Sequence, residues 1–200
     1  MALLLSLLSA LLLLSCGPGG SLGCHLPQHH VLLSGDNLVL LSQMSTMSPF
    51  LCLKDRKDFR FPRQTVEGRE VQGAQAATVL HELLQQVFNL LLTAPPPAAW
   101  NTTLLGQLGA GLHRQLGDLH ACLGQGTAEE GSALATRGPA LALKRYFQGI
   151  RLYLKGKGHS DCAWEVVRVE VMRAFSSART LQERLSDKDR DLPPPGNDPR

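Results

Sequence analysis

The places where this 200-residue chain could do chemistry are its cysteines, its histidines and a few short motifs. Cys24, Cys52, Cys122 and Cys162 lie 28, 70 and 40 residues apart. Zinc-binding thiolates come in C-x₂₋₄-C pairs, and none is present, so these cysteines read as disulfide partners and no metal site is assigned. His25, His29 and His30 stand together, but no other ligand recurs at a metal-site spacing, and they read as a solvated cluster. His81-Glu82-Leu83-Leu84-Gln85 begins like a zinc-protease helix, yet Gln85 occupies the place of the second imidazole. Gly106, Gly109 and Gly111 give GxxGxG, the wrong order for a dinucleotide loop, and no G-x-S-x-G elbow exists. The acid pairs Asp55/Asp58 and Glu129/Glu130 sit in charge-mixed segments and read as solvated. No catalytic residue and no cofactor site follows, so an enzyme is not expected. One modification motif remains: Asn101-Thr102-Thr103 is an N-glycosylation acceptor if the chain is secreted.

The N-terminus says that it is. Met1 to Gly23 contains no Asp, Glu, Lys or Arg. Its apolar run from Ala2 to Leu14 is about 13 residues, short of the ~20 that a spanning helix needs. Ser21 and Gly23 place small residues at −3 and −1 before Cys24, as at a signal-peptide cleavage site. The expected organisation is a signal peptide over 1–23, a folded domain over 24–186 and a disordered tail over 187–200 containing Pro193-Pro194-Pro195-Gly196. The mature protein is expected to be extracellular, without membrane insertion. Cys16 leaves with the signal, and four cysteines in an oxidising compartment suggest two bridges. With 20 basic residues scattered among 17 acidic ones and a net charge of +3, nucleic acid is not an expected partner.

The elements that must position these residues are helices. Trp164, Val167, Val171, Ala174, Ala178, Leu181 and Leu185 form one apolar seam, with Glu165, Arg168, Arg173, Glu183 and Arg184 off it. Leu105, Leu108, Leu112, Leu116, Leu119 and Leu123 form a second. Leu143, Phe147, Ile150 and Leu154 follow Pro139, which suits a first helical turn, and Gly156 and Gly158 stop that helix. Val79 to Leu92 is apolar on most sides and should be the most buried helix. A weaker one runs from about Pro27 to Met44, interrupted by Gly35. No segment sustains period-two alternation, and Ser45 to Gly73 reads as a long polar connection. An all-α bundle with one long crossover is the economical architecture.

This layout limits the disulfides. The first helix separates Cys24 from Cys52 by about 25 Å at ~1.5 Å per residue, far beyond the ~7 Å that a bridge tolerates between Cα atoms. The Pro139–Lys155 helix likewise separates Cys122 from Cys162. Two pairings survive, and geometry does not choose between them.

Several stretches resemble the type I interferons, and within them the omega subclass: Cys24-His-Leu-Pro-Gln, Ser48-Pro-Phe-Leu-Cys-Leu-Lys-Asp-Arg-Lys-Asp-Phe-Arg-Phe-Pro62, Val79-Leu-His-Glu-Leu-Leu-Gln-Gln-Val-Phe-Asn89, Tyr146-Phe-Gln-Gly-Ile-Arg151, Cys162-Ala-Trp-Glu-Val-Val-Arg168 and Ser186-Asp-Lys-Asp-Arg-Asp-Leu192. The resemblance covers essentially all of residues 24 to 192. It implies a five-helix cytokine bundle, A to E, with a long A–B crossover loop and two disulfides, Cys24–Cys122 and Cys52–Cys162. It also implies a monomer that bridges the two chains of a cell-surface receptor, brings their Janus kinases together and induces an antiviral state.

For the tighter-binding chain the resemblance implies Leu53, Arg56 and Asp58 of the A–B loop with Arg168, Met172, Arg173 and Ser176 of the last helix. Spacing adds that Arg168, Met172 and Ser176 form one stripe beside the apolar seam, expected to face outward. For the weaker chain it implies His81, Glu82, Gln85, Phe88 and Asn89, with Lys144 and Arg145. Helix C departs from the family pattern in carrying Gly106, Gly109, Gly111 and Gly117. The alternative function is a secreted protein that occupies one receptor chain without signalling.

Overall fold

The structure, a computed structural model, describes residues 26, 28–94, 97, 100–125 and 130–187. The expected signal segment, Cys24, His25 and residues 188–200 of the expected tail lie outside the described residues. In order come α1 (Gln28–Gln43), a 3-10 helix (Pro49–Asp55), α2 (Arg63–Val66), α3 (Gly73–Thr93), α4 (Thr102–Gln125), α5 (Glu130–Gly156) and α6 (Asp161–Asp187). There is no strand among the described residues. The chain is all-α, and α1, α3, α4, α5 and α6 are the five long helices that the sequence predicts.

The apolar periodicity dictates the packing. Helix α3 packs against α4, α5 and α6 at once. Ala76, Ala77, Val79, Leu80, Leu83, Leu84, Val87, Leu90 and Leu91 of α3 are all buried. Each large side chain among them is worth about 1.5–3 kcal/mol of apolar transfer. Every residue of the predicted α6 seam is buried, as are Leu143, Phe147, Ile150 and Leu154 of α5. The chain's two tryptophans meet in this core, with Trp100 and Trp164 ring centroids 5.2 Å apart.

Helix α1 follows a different rule. Its inward positions are His30, Ser34, Asn37 and Leu41, three of them polar, and Met44 is buried just beyond its end. The polar members meet Gln115 of α4. Gln115 donates to Ser34 Oγ (2.8 Å) and to the His30 carbonyl (3.1 Å), and accepts from Asn37 Nδ2 (2.8 Å). The His30 ring lies 3.2 Å from the Gln115 carbonyl through Nε2 and 2.8 Å from Gln182 Nε2 through Nδ1. A carbonyl cannot donate, so Nε2 carries the proton and Nδ1 accepts. This corrects the reading of the histidines as solvated: His30 is fully buried, and burial holds its pKa below the ordinary 6.5. His29 is exposed and pairs with Asp118 (2.9 Å). Gly35 does not interrupt α1, because it sits on the exposed side and is accommodated within the helix.

Two further expectations are corrected. Helix α5 starts at Glu130, so Pro139 lies inside it and not in its first turn. An interior proline forgoes one backbone bond at about 3 kcal/mol, but the packed residues 143–154 hold the helix together on one side of it. The crossover is also more structured than its polarity suggests, since it contains the 3-10 helix and α2. Helix α2 is tied to α6 by Arg184, which donates to the carbonyls of Glu67 (2.6 Å) and Gly68 (2.9 Å), and by Ser177, which donates to Glu67.

Candidate functional site

The crossover is held where the 3-10 helix packs on α6. Ser48 caps that helix by accepting from Phe50 N–H (3.4 Å), and Pro49 supplies its first residue. Cys52 points inward and is bonded to Cys162 at the start of α6, with a Cα–Cα distance of 5.2 Å. This is one bridge of the pairing implied by the resemblance. Cys122 is disulfide-bonded as well, and Cys24 lies outside the described residues. Met47 lies against the bridge, its Sδ 3.3 Å from Cys52 Sγ and 3.8 Å from Cys162 Sγ.

With Cys52 turned in, its neighbours are turned out. Phe50 is 80% exposed, Leu51 75% and Leu53 51%. Three large apolar side chains so presented on one short helix are the signature of a surface that another protein covers. Beyond them the chain is pinned to α5: Tyr153 donates to the Asp55 carbonyl (2.6 Å), and Phe59 and Phe61 pack edge-on against Tyr153 and Tyr146. Asp55 pairs with Lys157 (2.8 Å), which corrects its reading as a merely solvated acid.

On α6 the expected outward stripe divides. Arg168 is only 5% exposed. It grips Glu165 through Nε (2.8 Å) and Nη2 (2.6 Å), while Nη1 donates to the Leu41 carbonyl (2.9 Å) and lies 3.1 Å from Met172 Sδ. A long side chain beside an apolar seam can fold back onto the neighbouring helix, and a buried carboxylate one turn away makes that favourable. Met172 is half-buried, while Arg173 and Ser176 are exposed. Arg173 pairs with Glu170 (2.7 Å), which is buried and accepts from Tyr146 Oη (2.7 Å). Burial first, and then this bond to Glu170, push the Tyr146 phenol well above its ordinary value of 10.

A cleft of about 110 Å³ opens here, lined by Cys52, Arg56, Lys57, Glu165, Val169 and Arg173 among others. Small-molecule sites run to about 300–1,000 Å³, so this dent suits a partner's side chain and not a substrate. The structure therefore brings Arg56 and Arg173 into one patch. Leu53 and Asp58 flank it, and Ser176 lies one turn further along α6.

The second set lies on α3. His81, Glu82, Gln85, Phe88 and Asn89 recur at helical spacing on one face. Lys144 of α5 joins them through Glu82 (3.6 Å), whereas Arg145 is exposed without a contact to the set. Gln85 donates to Asn89 (3.1 Å). Phe88 is half-buried against the core, its ring 6.4 Å from that of His113. Burial lowers the His81 pKa. The inward turn of Glu165 and Glu170 carried no sequence signal, because their neighbours Val166 and Val169 are the more exposed residues.

Known proteins account for this arrangement. The interferon alpha/beta domain model matches residues 26–185. The chain is 60% identical to interferon omega-1 of Bos taurus, covering 98% of this chain and all of that one. It is 59% identical to interferon omega-1 of Homo sapiens, with 96% and 98% covered. Among solved structures it resembles zebrafish interferon 2 at a TM-score of 0.63 and 25% identity, covering 77% of this chain and 97% of that one. The chain therefore belongs to the interferon alpha/beta family, whose members are cytokines and not enzymes.

Proposed function

We propose that the protein is secreted and bridges the two chains of the type I interferon receptor, so that their Janus kinases meet and an antiviral state follows. The observation that carries this reading is the stapling of the exposed Phe50-Leu51-Cys52-Leu53 turn to α6 through Cys52–Cys162. A surface built before its partner arrives loses less ordering entropy on binding. Leu53, Arg56, Asp58, Met172, Arg173 and Ser176 make the contact with the tighter chain, and Arg168 acts through Glu165 and Leu41 to fix the geometry between α1 and α6. His81, Glu82, Gln85, Phe88, Asn89, Lys144 and Arg145 face the weaker chain. Residues 1–23 form the signal peptide, 24–186 the folded domain and 187–200 the tail. Cys24 pairs with Cys122, and the protein acts as a monomer.

Asn101 carries the glycan in this reading. Its Oδ1 accepts from Thr103 N–H (2.9 Å) and Leu104 N–H (3.2 Å), so the helix cap uses the oxygen and leaves the nitrogen for the sugar. Support for secretion comes from the family. In addition, among the described residues no helix is long and apolar enough to cross a membrane.

A reporter assay on cells carrying both receptor chains, run beside binding to each chain alone, tests the proposal. Reporter activation that is lost with Leu53→Ala, together with lost binding to the tighter chain, is the expected result. Tight binding to one chain without any reporter response would instead identify an antagonist.

A further inference from the structure

The crossover sequence Lys54-Asp-Arg-Lys-Asp-Phe-Arg60 alternates in sign, and the structure sorts the signs. Both acids are engaged internally: Asp55 pairs with Lys157 (2.8 Å), and Asp58 Oδ1 accepts from the backbone N–H of Arg60 (2.9 Å). Lys54, Arg56, Lys57 and Arg60 are exposed, and none makes an ion pair among the described residues. Lys57 sits 5.8 Å from the ring centroids of both Phe59 and Tyr153. Through Tyr153 and Asp55 the row continues onto the end of α5, where Lys155 and Lys157 are exposed. Residues 54–60 and 155–157 together hold six cations against two acids, a local charge of +4 in a chain whose total is +3, so the rest of the chain sums to −1. The net positive charge of the molecule is concentrated at this end.

We propose that this basic end docks a linear sulfated polysaccharide of the kind displayed on cell surfaces. A folded protein partner would require an apolar centre inside its contact. Within 54–60 and 155–157 no large apolar side chain is exposed. A sulfated sugar chain requires only cations repeated along a strip, which is what an extended segment and a helix end supply. The strip is rigid, because Cys52–Cys162 and the Phe59–Tyr153 and Phe61–Tyr146 stacks hold it down. It meets the proposed receptor surface at Arg56, Lys57 and Asp58, whereas Lys54, Arg60 and Lys155 are not part of that surface.

The test uses the intact glycosylated protein over immobilised heparin in about 150 mM salt, where long-range charge effects are screened beyond roughly 8 Å. The variant Lys54→Gln/Arg60→Gln/Lys155→Gln is compared with Arg114→Gln/Arg137→Gln/Arg179→Gln, which removes equal charge elsewhere. The first should bind about tenfold more weakly, the combined effect of three exposed ion pairs of ordinary strength. The second should stay near wild type, polyglutamate should fail to displace the protein, and both variants should keep the receptor reporter response. Equal losses in the two variants, displacement by polyglutamate, or no retention of the wild type would each overturn the proposal. If the first variant melts at a lower temperature, Arg60→Gln and Lys155→Gln singly replace it, since both side chains are exposed and form no ion pair or side-chain hydrogen bond among the described residues, and an unchanged affinity in both would overturn the proposal equally.

Discussion

Replacing Gly106 and Gly111 of α4 by alanine, one at a time, should move stability in opposite directions. Both lie inside the helix, where glycine costs roughly 0.5–1 kcal/mol relative to alanine. A Cβ at Gly106 would meet nothing within 4 Å, so Gly106→Ala should gain that amount. At about 2–4 °C per kcal/mol for a domain of this size, the melting temperature rises by roughly 1–4 °C. A Cβ at Gly111 would stand 2.5 Å from Asn37 Oδ1. Asn37 is buried and its Nδ2 is bonded to Gln115, so turning the oxygen away also breaks that bond. Overpacking costs about 1–3 kcal/mol and a stranded buried amide about 1–3 more. Even after the helical gain, Gly111→Ala should lose roughly 1–5 kcal/mol and several degrees. Gly109 lies between the two: its Cβ would touch Leu92 Cδ1 at 3.1 Å, but Leu92 is 40% exposed and can swing aside. Thermal unfolding of the glycosylated protein, followed by circular dichroism, decides. A higher melting temperature for Gly111→Ala, or a lower one for Gly106→Ala, would refute the assignment of one glycine to solvent and the other to close helix approach.

Arg168→Ala should destabilise the fold by about 3–5 kcal/mol, because it leaves Glu165 buried without its cation; a denaturant midpoint equal to wild type would contradict this. Replacing Cys52 and Cys162 by serine should harm binding to the tighter receptor chain more than replacing Cys24 and Cys122, and surface plasmon resonance of the two double mutants makes the comparison. His30 and His81 both have pKa values lowered by burial. The unfolded chain therefore takes up protons from about 6.5 downward while the folded one resists, so their contribution is complete above 6.5 and is lost as the pH falls from there through the folded values. Urea unfolding at pH 7.5 and 5.5 should show that loss, and His30→Asn should reduce it; an unchanged difference would place its origin elsewhere.

What the sequence made legible was whatever apolar spacing encodes. The α6 seam and the α5 residues from Leu143 to Leu154 are buried as read. Helix α1 was faint because His30, Ser34 and Asn37 occupy three of its inward positions, while Leu32 and Val39 face solvent at 69% and 53% exposure. A periodicity built on hydrophobicity sees such a helix inside out. Pro139 misled for a related reason: a local propensity was read as a boundary, and packing overrode it. At the candidate site the family motif identified which segments matter, but not which way Arg168 turns. That depends on a carbonyl from Leu41, 127 residues away, and no local pattern contains it.

The meeting of Trp100 and Trp164 has an optical consequence. All the indole emission of this protein arises from one spot, where the approach to α4 touches the first turns of α6. A fluorescence melt therefore watches the neighbourhood of the staple and is blind to the amide and imidazole seam that docks α1. Were α1 to detach first, the emission would stay unchanged while far-ultraviolet ellipticity fell, and the lag between the two signals would time that detachment.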